Sequence, residues 1–315
     1  HRDLHSFPTR RSSDLQSGKP DGRVVVSVAL HRPPGTLKNA ELSASVTQGG
    51  VPLVEWGPVT VPPHVAGLRL TGTVPDGAPL ADSALWSPQQ PDAVYRFEVQ
   101  VREPPPPGSL APERAPDVVG VDFAFKRFQA IDGRFALNGT DRYLHGINRH
   151  EDHPDQGPVF DAATADADAA AMRAMGIDFC RVAHYPNDGR TLRALEAAGI
   201  LLAQEIPVYQ LDGQQMANPA LLDRADRALR RMIARDVNRP GIAMWSIANE
   251  VWSFLPEAVP FFAQLAATAH AMDPDRPVMA ALLTAPVASF SEADAAPEAV
   301  DVIGINEYQI GRAHV

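Results

Sequence analysis

The chain has 315 residues, a formal net charge of −10 and a single cysteine, Cys180; 45% of its residues are apolar and 21% are charged. This length suits one large domain or two ordinary ones, and the apolar fraction is high enough for a packed core, which excludes a wholly disordered chain. A negative charge without a basic patch argues against nucleic acid or an anionic lipid surface as a partner. No apolar run reaches the roughly 18–20 residues of a membrane span. One cysteine excludes an internal disulfide framework without fixing the compartment.

Both ends of the chain differ in character from the rest. The segments His1–Leu15 and Ile310–Val315 resemble in-frame translations of common sequencing adapters, so we exclude residues 1–15 and 310–315 from the prediction of domains. We therefore expect the natural gene to continue past both ends, and the chain to be a fragment of a longer protein.

Residues 16–125 have the pattern of an antiparallel β-sandwich. Short apolar runs, several of which alternate with period two, are separated by turns that contain glycine and proline, and no helical period is present. A proline-rich stretch at residues 104–116 is typical of a stiff, exposed loop or linker. The predicted strands are Arg23–Leu30, Ala40–Val46, Gly67–Val74 and Val94–Val101.

Residues 126–309 predict a different architecture. The dipeptides Asp132-Gly133 and Asn138-Gly139 indicate tight hairpins, and alternating strands and helices follow them. One helix is predicted from the cap at Asn218-Pro219 to Asn238. Repeated βα units imply either a doubly wound sheet or a TIM barrel. The predicted parallel strands are Tyr143–Asn148, Asp178–Ala183, Ile200–Glu205, Ile242–Ala248, Pro277–Leu283 and Val302–Asn306.

Polar residues gather where these strands end. In a TIM barrel the carboxyl ends of the strands converge on the face where catalysis takes place, so this clustering favours the barrel. No glycine-rich phosphate loop follows any of the strands, which argues against a dinucleotide or P-loop function. The residues at the strand ends are Asn148, His150, Asp152, Arg181, His184, Glu205, Asn249, Glu250, Asn306 and Tyr308.

The second half of the chain contains four ordered sequence blocks: Gly146–Pro154 (GINRHEDHP), Arg181–Asn187 (RVAHYPN), Arg235–Glu250 (RDVNRPGIAMWSIANE) and Asp301–Tyr308 (DVIGINEY). Together they resemble glycoside hydrolase family two, which includes β-galactosidases, β-glucuronidases and β-mannosidases. A fifth segment, Ala84–Tyr95, looks like the end of the immunoglobulin-like domain of that family. The resemblance implies a multidomain β plus α/β fold: an immunoglobulin-like β-sandwich over residues 16–125, then an incomplete (β/α)8 TIM barrel over residues 126–309 with about six of eight strands.

The resemblance also implies catalytic roles. Glu250 would be the general acid/base, which protonates the departing glycosidic oxygen and then deprotonates water. Asn249 would hydrogen-bond the 2-hydroxyl of the sugar. Arg181 would order the catalytic carboxylates, although an arginine there could instead neutralise a buried acid, and Tyr308 would hydrogen-bond the nucleophile.

Further positions match substrate contacts of the family: His150, Asp152, His184 and Asn306. Glu205 suits a structural ion pair as well as a role in the site. The resemblance implies no cofactor, and we expect no metal, because the chain has no HExxH or comparably compact pattern and lacks a Glu-x-His after Glu205.

The nucleophile of the family is a second glutamate on the seventh strand, which this chain does not contain. A retaining mechanism needs two carboxyl groups about 5–5.5 Å apart. We expect the longer parent to be a retaining exo-β-glycosidase that acts on terminal β-galactosides or β-glucuronides, small or oligosaccharide, and this fragment to be inactive. The alternative is a non-catalytic carbohydrate-binding or adhesion protein with a degenerate barrel. The sequence leaves open whether the longer protein forms a homo-oligomer.

Overall fold

The computed structural model describes residues 4–8, 22–30, 40–62, 65, 67–74, 80–102, 105, 108, 115–158, 160–283 and 297–306. The chain divides into two compact units, residues 1–126 with 238–240, and residues 127–237 with 241–315. The predicted proline-rich linker lies mostly outside the described residues.

The first unit contains two antiparallel sheets. One has the strand order β1-β2-β5 and the other β4-β3-β6-β7. Two of the strands that the sequence analysis did not predict, β4 and β7, are edge strands with many exposed residues. The prolines of β4 fit an edge, where no ladder hydrogen bond is lost. The strands are β1 (Leu4–Pro8), β2 (Arg23–Leu30), β3 (Ala40–Gln48), β4 (Val51–Val61), β5 (Gly67–Thr73), β6 (Tyr95–Arg102) and β7 (Asp117–Phe123).

A hydrophobic core of described residues joins the two sheets. It contains Val26 of β2 together with Leu42 of β3 and Phe97 of β6, all fully buried. The Tyr95 hydroxyl donates to the carbonyl oxygen of Ala84 at 3.0 Å, which satisfies the one polar atom of that buried ring. The unit is therefore a two-layer antiparallel β structure, and its immunoglobulin-like character stays a prediction. The strand β1 lies in the segment that we attribute to an adapter, and that attribution also stays a prediction.

The second unit begins with a three-stranded meander, β8 (Phe128–Ile131), β9 (Arg134–Leu137) and β10 (Thr140–Arg142). Both connecting turns have positive φ at their two central residues: 50° at Asp132 and 72° at Gly133, then 53° at Asn138 and 81° at Gly139. Aspartate, asparagine and glycine tolerate this backbone region better than other residues do, which is why the two dipeptides predicted the turns correctly.

The rest of the second unit is a parallel sheet with helices between its strands. The sheet has the simple order β11-β12-β13-β14-β15-β16, the order of successive strands in a TIM barrel. The strands are β11 (Gly146–Arg149), β12 (Phe179–Val182), β13 (Leu201–Glu205), β14 (Ile242–Asn249), β15 (Val278–Leu283) and β16 (Val302–Asn306). The helices are α1 (Ala162–Ala174), α2 (Gly189–Ala197), α3 (Gly213–Met216), α4 (Pro219–Asp236) and α5 (Ala258–Met272).

The predicted helix α4 begins where its cap indicates. The Asn218 side chain accepts a hydrogen bond from the backbone N–H of Ala220 at 3.0 Å, and Pro219 occupies the first turn. The helix ends at Asp236, two residues before the predicted end.

Period-two alternation gives the sheet two different faces. Cys180, Leu202 and Trp245 pack against the helices in the main core, and burial raises the pKa of the Cys180 thiol to about 12. Their neighbours along the strands must point to the opposite face. Arg181 and Ser246 are two of those neighbours, so the alternation places polar side chains inside the curve of the sheet.

Candidate active site

A buried ion pair lies at the centre of the inner face. Arg181 of β12 donates from Nε and Nη2 to the two carboxylate oxygens of Glu205 at 2.8 and 2.9 Å. Ser246 of β14 donates its hydroxyl to the same carboxylate at 2.5 Å. Glu205 is fully buried, so its charge depends on these partners. The ion pair that the sequence analysis left open for Glu205 is present, and it ties three neighbouring strands together at their carboxyl ends.

Asn249, the last residue of β14, extends this network. Its Oδ1 accepts from Arg181 Nη2 at 2.7 Å and from Asn306 Nδ2 at 2.9 Å. Two donors thereby fix the orientation of the amide. Within the described part of the chain the Nδ2 group of Asn249 has no protein acceptor, so the amide can donate to a ligand.

The carboxylate of Glu250 is held by amide donors on both of its oxygens. Asn306 Nδ2 donates to Oε1 at 2.8 Å, and Gln210 Nε2 donates to Oε2 at 3.2 Å. Only about 5% of Glu250 is exposed. Arg181 donates to Glu205 and to Asn249, the residue directly before Glu250. The role of Arg181 in ordering the catalytic carboxylates stays a prediction.

The backbone explains how Gln210 reaches Glu250. Segments 208–211 and 249–252 continue side by side beyond β13 and β14: the N–H of Asn249 donates to the carbonyl of Val208 at 2.8 Å, and the N–H of Gln210 to the carbonyl of Asn249 at 2.9 Å. Gln210 and Glu250 both have left-handed φ, 56° and 52°. Such values are uncommon for residues with long side chains, and they turn both side chains out of the strand direction.

Two histidines border the ion pair. His184 Nδ1 lies 2.8 Å from Glu205 Oε1, and the ring of His150 meets the His184 ring edge-on at 5.0 Å between centroids. Partial burial and the positive charges of His184 and Arg181 lower the pKa of His150, against the weaker opposite effects of Glu205 and Asp152. His150 and Asp152 are themselves exposed, as befits residues at the rim of the site.

A second buried network lies on the helix side of the sheet and supports the loop after β12. Gln204 Nε2 donates to Asp236 at 2.9 Å, and Arg235 binds both the Asp236 carboxylate and the carbonyl of Asn187. The Asn187 side chain in turn accepts from Arg149 at 3.2 Å. These contacts fix the loop that carries His184.

The structure thus brings together most of the predicted site residues, and it adds some that the sequence analysis missed. Ser246 could have been found from the alternation of β14, because it must face away from Trp245 and Ile247. Gln210 has no such signal, since its position depends on a left-handed backbone outside any strand. Tyr308 lies outside the described residues. The predicted residues that lie together are His150, Arg181, His184, Glu205, Asn249, Glu250 and Asn306.

In the described ranges, no three histidine, cysteine, aspartate or glutamate side chains are grouped so as to hold a metal ion. The same residues contain no helix with the length and apolar character that crossing a bilayer requires.

Comparison with known proteins agrees with this geometry. Residues 128–309 match the family model described as the TIM barrel domain of glycosyl hydrolases family 2. A β-glucuronidase of Sus scrofa is 31% identical over 228 residues, which cover 71% of this chain and 33% of that protein. A β-glucuronidase of Paenibacillus borealis is 32% identical over 209 residues, 62% of this chain and 33% of the relative. The chain spans about a third of the length of the curated relatives that it matches.

Solved structures share the fold. A Bifidobacterium dentium β-glucuronidase complexed with coumarin-3-O-glucuronide has a TM-score of 0.75 at 24% identity, over 98% of this chain and 48% of that one. A β-galacturonidase of Eisenbergiella tayi bound to galacturonate has a TM-score of 0.73 at 22% identity, over 96% and 49%. Because the family model covers more than half of the chain, including β11–β16 and the network around Glu250, the chain belongs to family 2 of the glycosyl hydrolases.

Proposed function

We propose that this chain carries the acid/base half of a retaining exo-β-glycosidase, with Glu250 as the general acid/base. The observation that supports the proposal most directly is the environment of Glu250. Its nearly buried carboxylate is oriented by Asn306 and Gln210 at the carboxyl end of the parallel strands. Fixed orientation matters because a general acid must stand within hydrogen-bond reach of the oxygen that it protonates.

The other residues of the site take supporting roles in this proposal. Asn249 presents its amide N–H to the 2-hydroxyl of the sugar, since its oxygen is already bound by Arg181 and Asn306. The pair of Arg181 and Glu205 keeps Asn249 in place, and His150, Asp152 and His184 contact other sugar hydroxyls. A hydrogen bond to the 2-hydroxyl that strengthens in the oxocarbenium-like transition state accelerates cleavage.

The sugar that we favour is a β-glucuronide. Both curated relatives described above are β-glucuronidases, at 31% and 32% identity. A β-galactoside is the comparison substrate, because the residue pattern alone fitted both sugars equally.

A reaction with an added nucleophile tests the role of Glu250. In a site without a nucleophilic carboxylate, azide can attack C1 of an aryl β-glucuronide: the C1–O bond breaks, its electron pair goes to the aryl oxygen with the proton of Glu250, and the azide nitrogen bonds to C1. Glu250 then takes a proton from water. We expect the 315-residue chain to form the α-glycosyl azide only when azide is present, and to hydrolyse no aryl glycoside without it.

Variants separate acid catalysis from other effects. Glu250→Gln should slow release of phenol, a poor leaving group, by about a hundredfold or more, and release of 2,4-dinitrophenol much less, because a good leaving group needs little protonation. Glu257→Gln, a carboxylate change in the same loop, should alter neither rate. Equal losses for both substrates in Glu250→Gln would contradict the acid/base role. Glycoside binding without any azide product would favour the non-catalytic carbohydrate-binding alternative.

A further inference from the structure

Two large aromatic rings stand exposed directly after Glu250. Trp252 is 48% exposed and Phe254 is 46% exposed, and their rings are stacked with centroids 6.0 Å apart and planes 19° from parallel. Large aromatic side chains contribute most to stability when they are buried. A stacked pair that is exposed to solvent is therefore typical of binding surfaces.

The backbone holds these rings outward. Val251 and Ser253, which alternate with them, are buried at 2% and 7% exposure, so the segment presents its two rings on one side and its small side chains to the interior. The N–H of Trp252 donates to the carbonyl of Leu211 at 2.9 Å. Leu211 directly follows Gln210, the residue that holds the Glu250 carboxylate. The ring pair is thus attached to the same two segments that position the acid/base.

We propose that Trp252 and Phe254 form the subsite for the leaving group, and that its preferred occupant is a planar, apolar aglycone. This inference rests on the proposed function, because a general acid stands beside the oxygen that joins sugar to leaving group. Trp252 is two residues from Glu250, so their Cα atoms lie within about 7.6 Å of each other. An aryl group attached to that oxygen can therefore reach the indole ring, and flat aromatic faces favour stacking.

Equilibrium binding to the 315-residue chain tests this without turnover. We would measure by calorimetry the dissociation constants of methyl β-D-glucuronide and 4-nitrophenyl β-D-glucuronide, with the matching galactosides as a second pair. We expect the aryl glycoside to bind about threefold to tenfold more tightly than the methyl glycoside. Trp252→Ala, and to a smaller degree Phe254→Ala, should abolish that advantage and leave the methyl glycoside unchanged.

Tyr143→Ala is the matched control, because Tyr143 is 80% exposed but precedes β11, at the opposite end of the parallel strands from Glu250. It should change neither constant. An aryl preference that survives Trp252→Ala, or equal losses for both glycosides, would overturn the subsite while leaving the proposed function intact. Failure of every glycoside to bind would instead overturn the proposed function. Dissociation of a dimer by Trp252→Ala, seen in sedimentation, would assign the rings to a contact between copies and also overturn the subsite.

Discussion

At the scale of single residues, the site depends on a charge that is buried without access to water. Glu205 is fully enclosed, and Arg181, its cationic partner, is only about 6% exposed at its side chain. Taking two charges out of water is costly, so such a pair adds little net stability; removing one partner, however, leaves the other charge uncompensated.

We therefore predict that Arg181→Met lowers the free energy of unfolding by about 3 kcal/mol or more, as measured by urea denaturation. Arg190→Met is the control, because Arg190 is 59% exposed and its pair with Asp188 lies at the surface; we expect a loss below about 1 kcal/mol. Adding Glu205→Gln to Arg181→Met should recover part of the loss. Equal effects of the two arginine changes would show that burial of this pair is unimportant.

His150 provides a second test at this scale. Its pKa is lowered by partial burial and by the charges of His184 and Arg181. As the pH falls below about 6.5, the unfolded chain binds a proton at this residue before the native chain does. The free energy of unfolding therefore decreases until the pH has passed the native pKa of His150, and below that pH the loss stays constant. In NMR titrations we expect the His150 midpoint below 6.5, higher in His184→Asn, and lower in Asp152→Asn. Shifts in the same direction in the two variants would refute this electrostatic account.

At the scale of elements, the central strands were predictable and several edges were not. Strands β12 to β16 agree with their predicted bounds to within about one residue at either end, because each is a short apolar run. Strands β13 and β14 are buried on both faces, as is typical of the centre of a parallel sheet. The strand β11 begins at Gly146 rather than at Tyr143, whose ring is exposed. The edge strands β4 and β7 gave no clear pattern, since an exposed strand lacks alternating burial. The sequence did not predict Gln210 either, because backbone conformation rather than residue type brings it to Glu250.

The cap of α4 is an element whose stability follows from sequence. Asn218 supplies a side-chain acceptor to the first turn, and an alanine there leaves an N–H without its partner. We predict that Asn218→Ala lowers the free energy of unfolding by about 1 kcal/mol, whereas Asn218→Ser has little effect and Asn218→Gly costs a few tenths. Thermal or urea denaturation of the three variants measures this order, and a loss for serine as large as that for alanine would contradict the capping role.

At the scale of the whole molecule, the parallel sheet of the second unit has two edges among its described strands, β11 and β16. On β16 the side chains of Ile303 and Ile305 are 47% and 57% exposed. An edge with exposed apolar side chains and unpaired backbone groups favours pairing with another chain. We therefore expect the β16 edge to be a surface for self-association.

We predict that the 315-residue chain associates in a concentration-dependent manner, and that the double change Ile303→Lys with Ile305→Lys reduces this association, because charged side chains at an edge oppose strand addition. Sedimentation velocity over a hundredfold range of concentration measures the effect. Met175→Lys is the control: Met175 is 64% exposed in the same unit but follows helix α1 and belongs to no strand, so it should leave association unchanged. A chain that stays monomeric at all concentrations, or one that responds equally to both changes, would show that the β16 edge is not the contact.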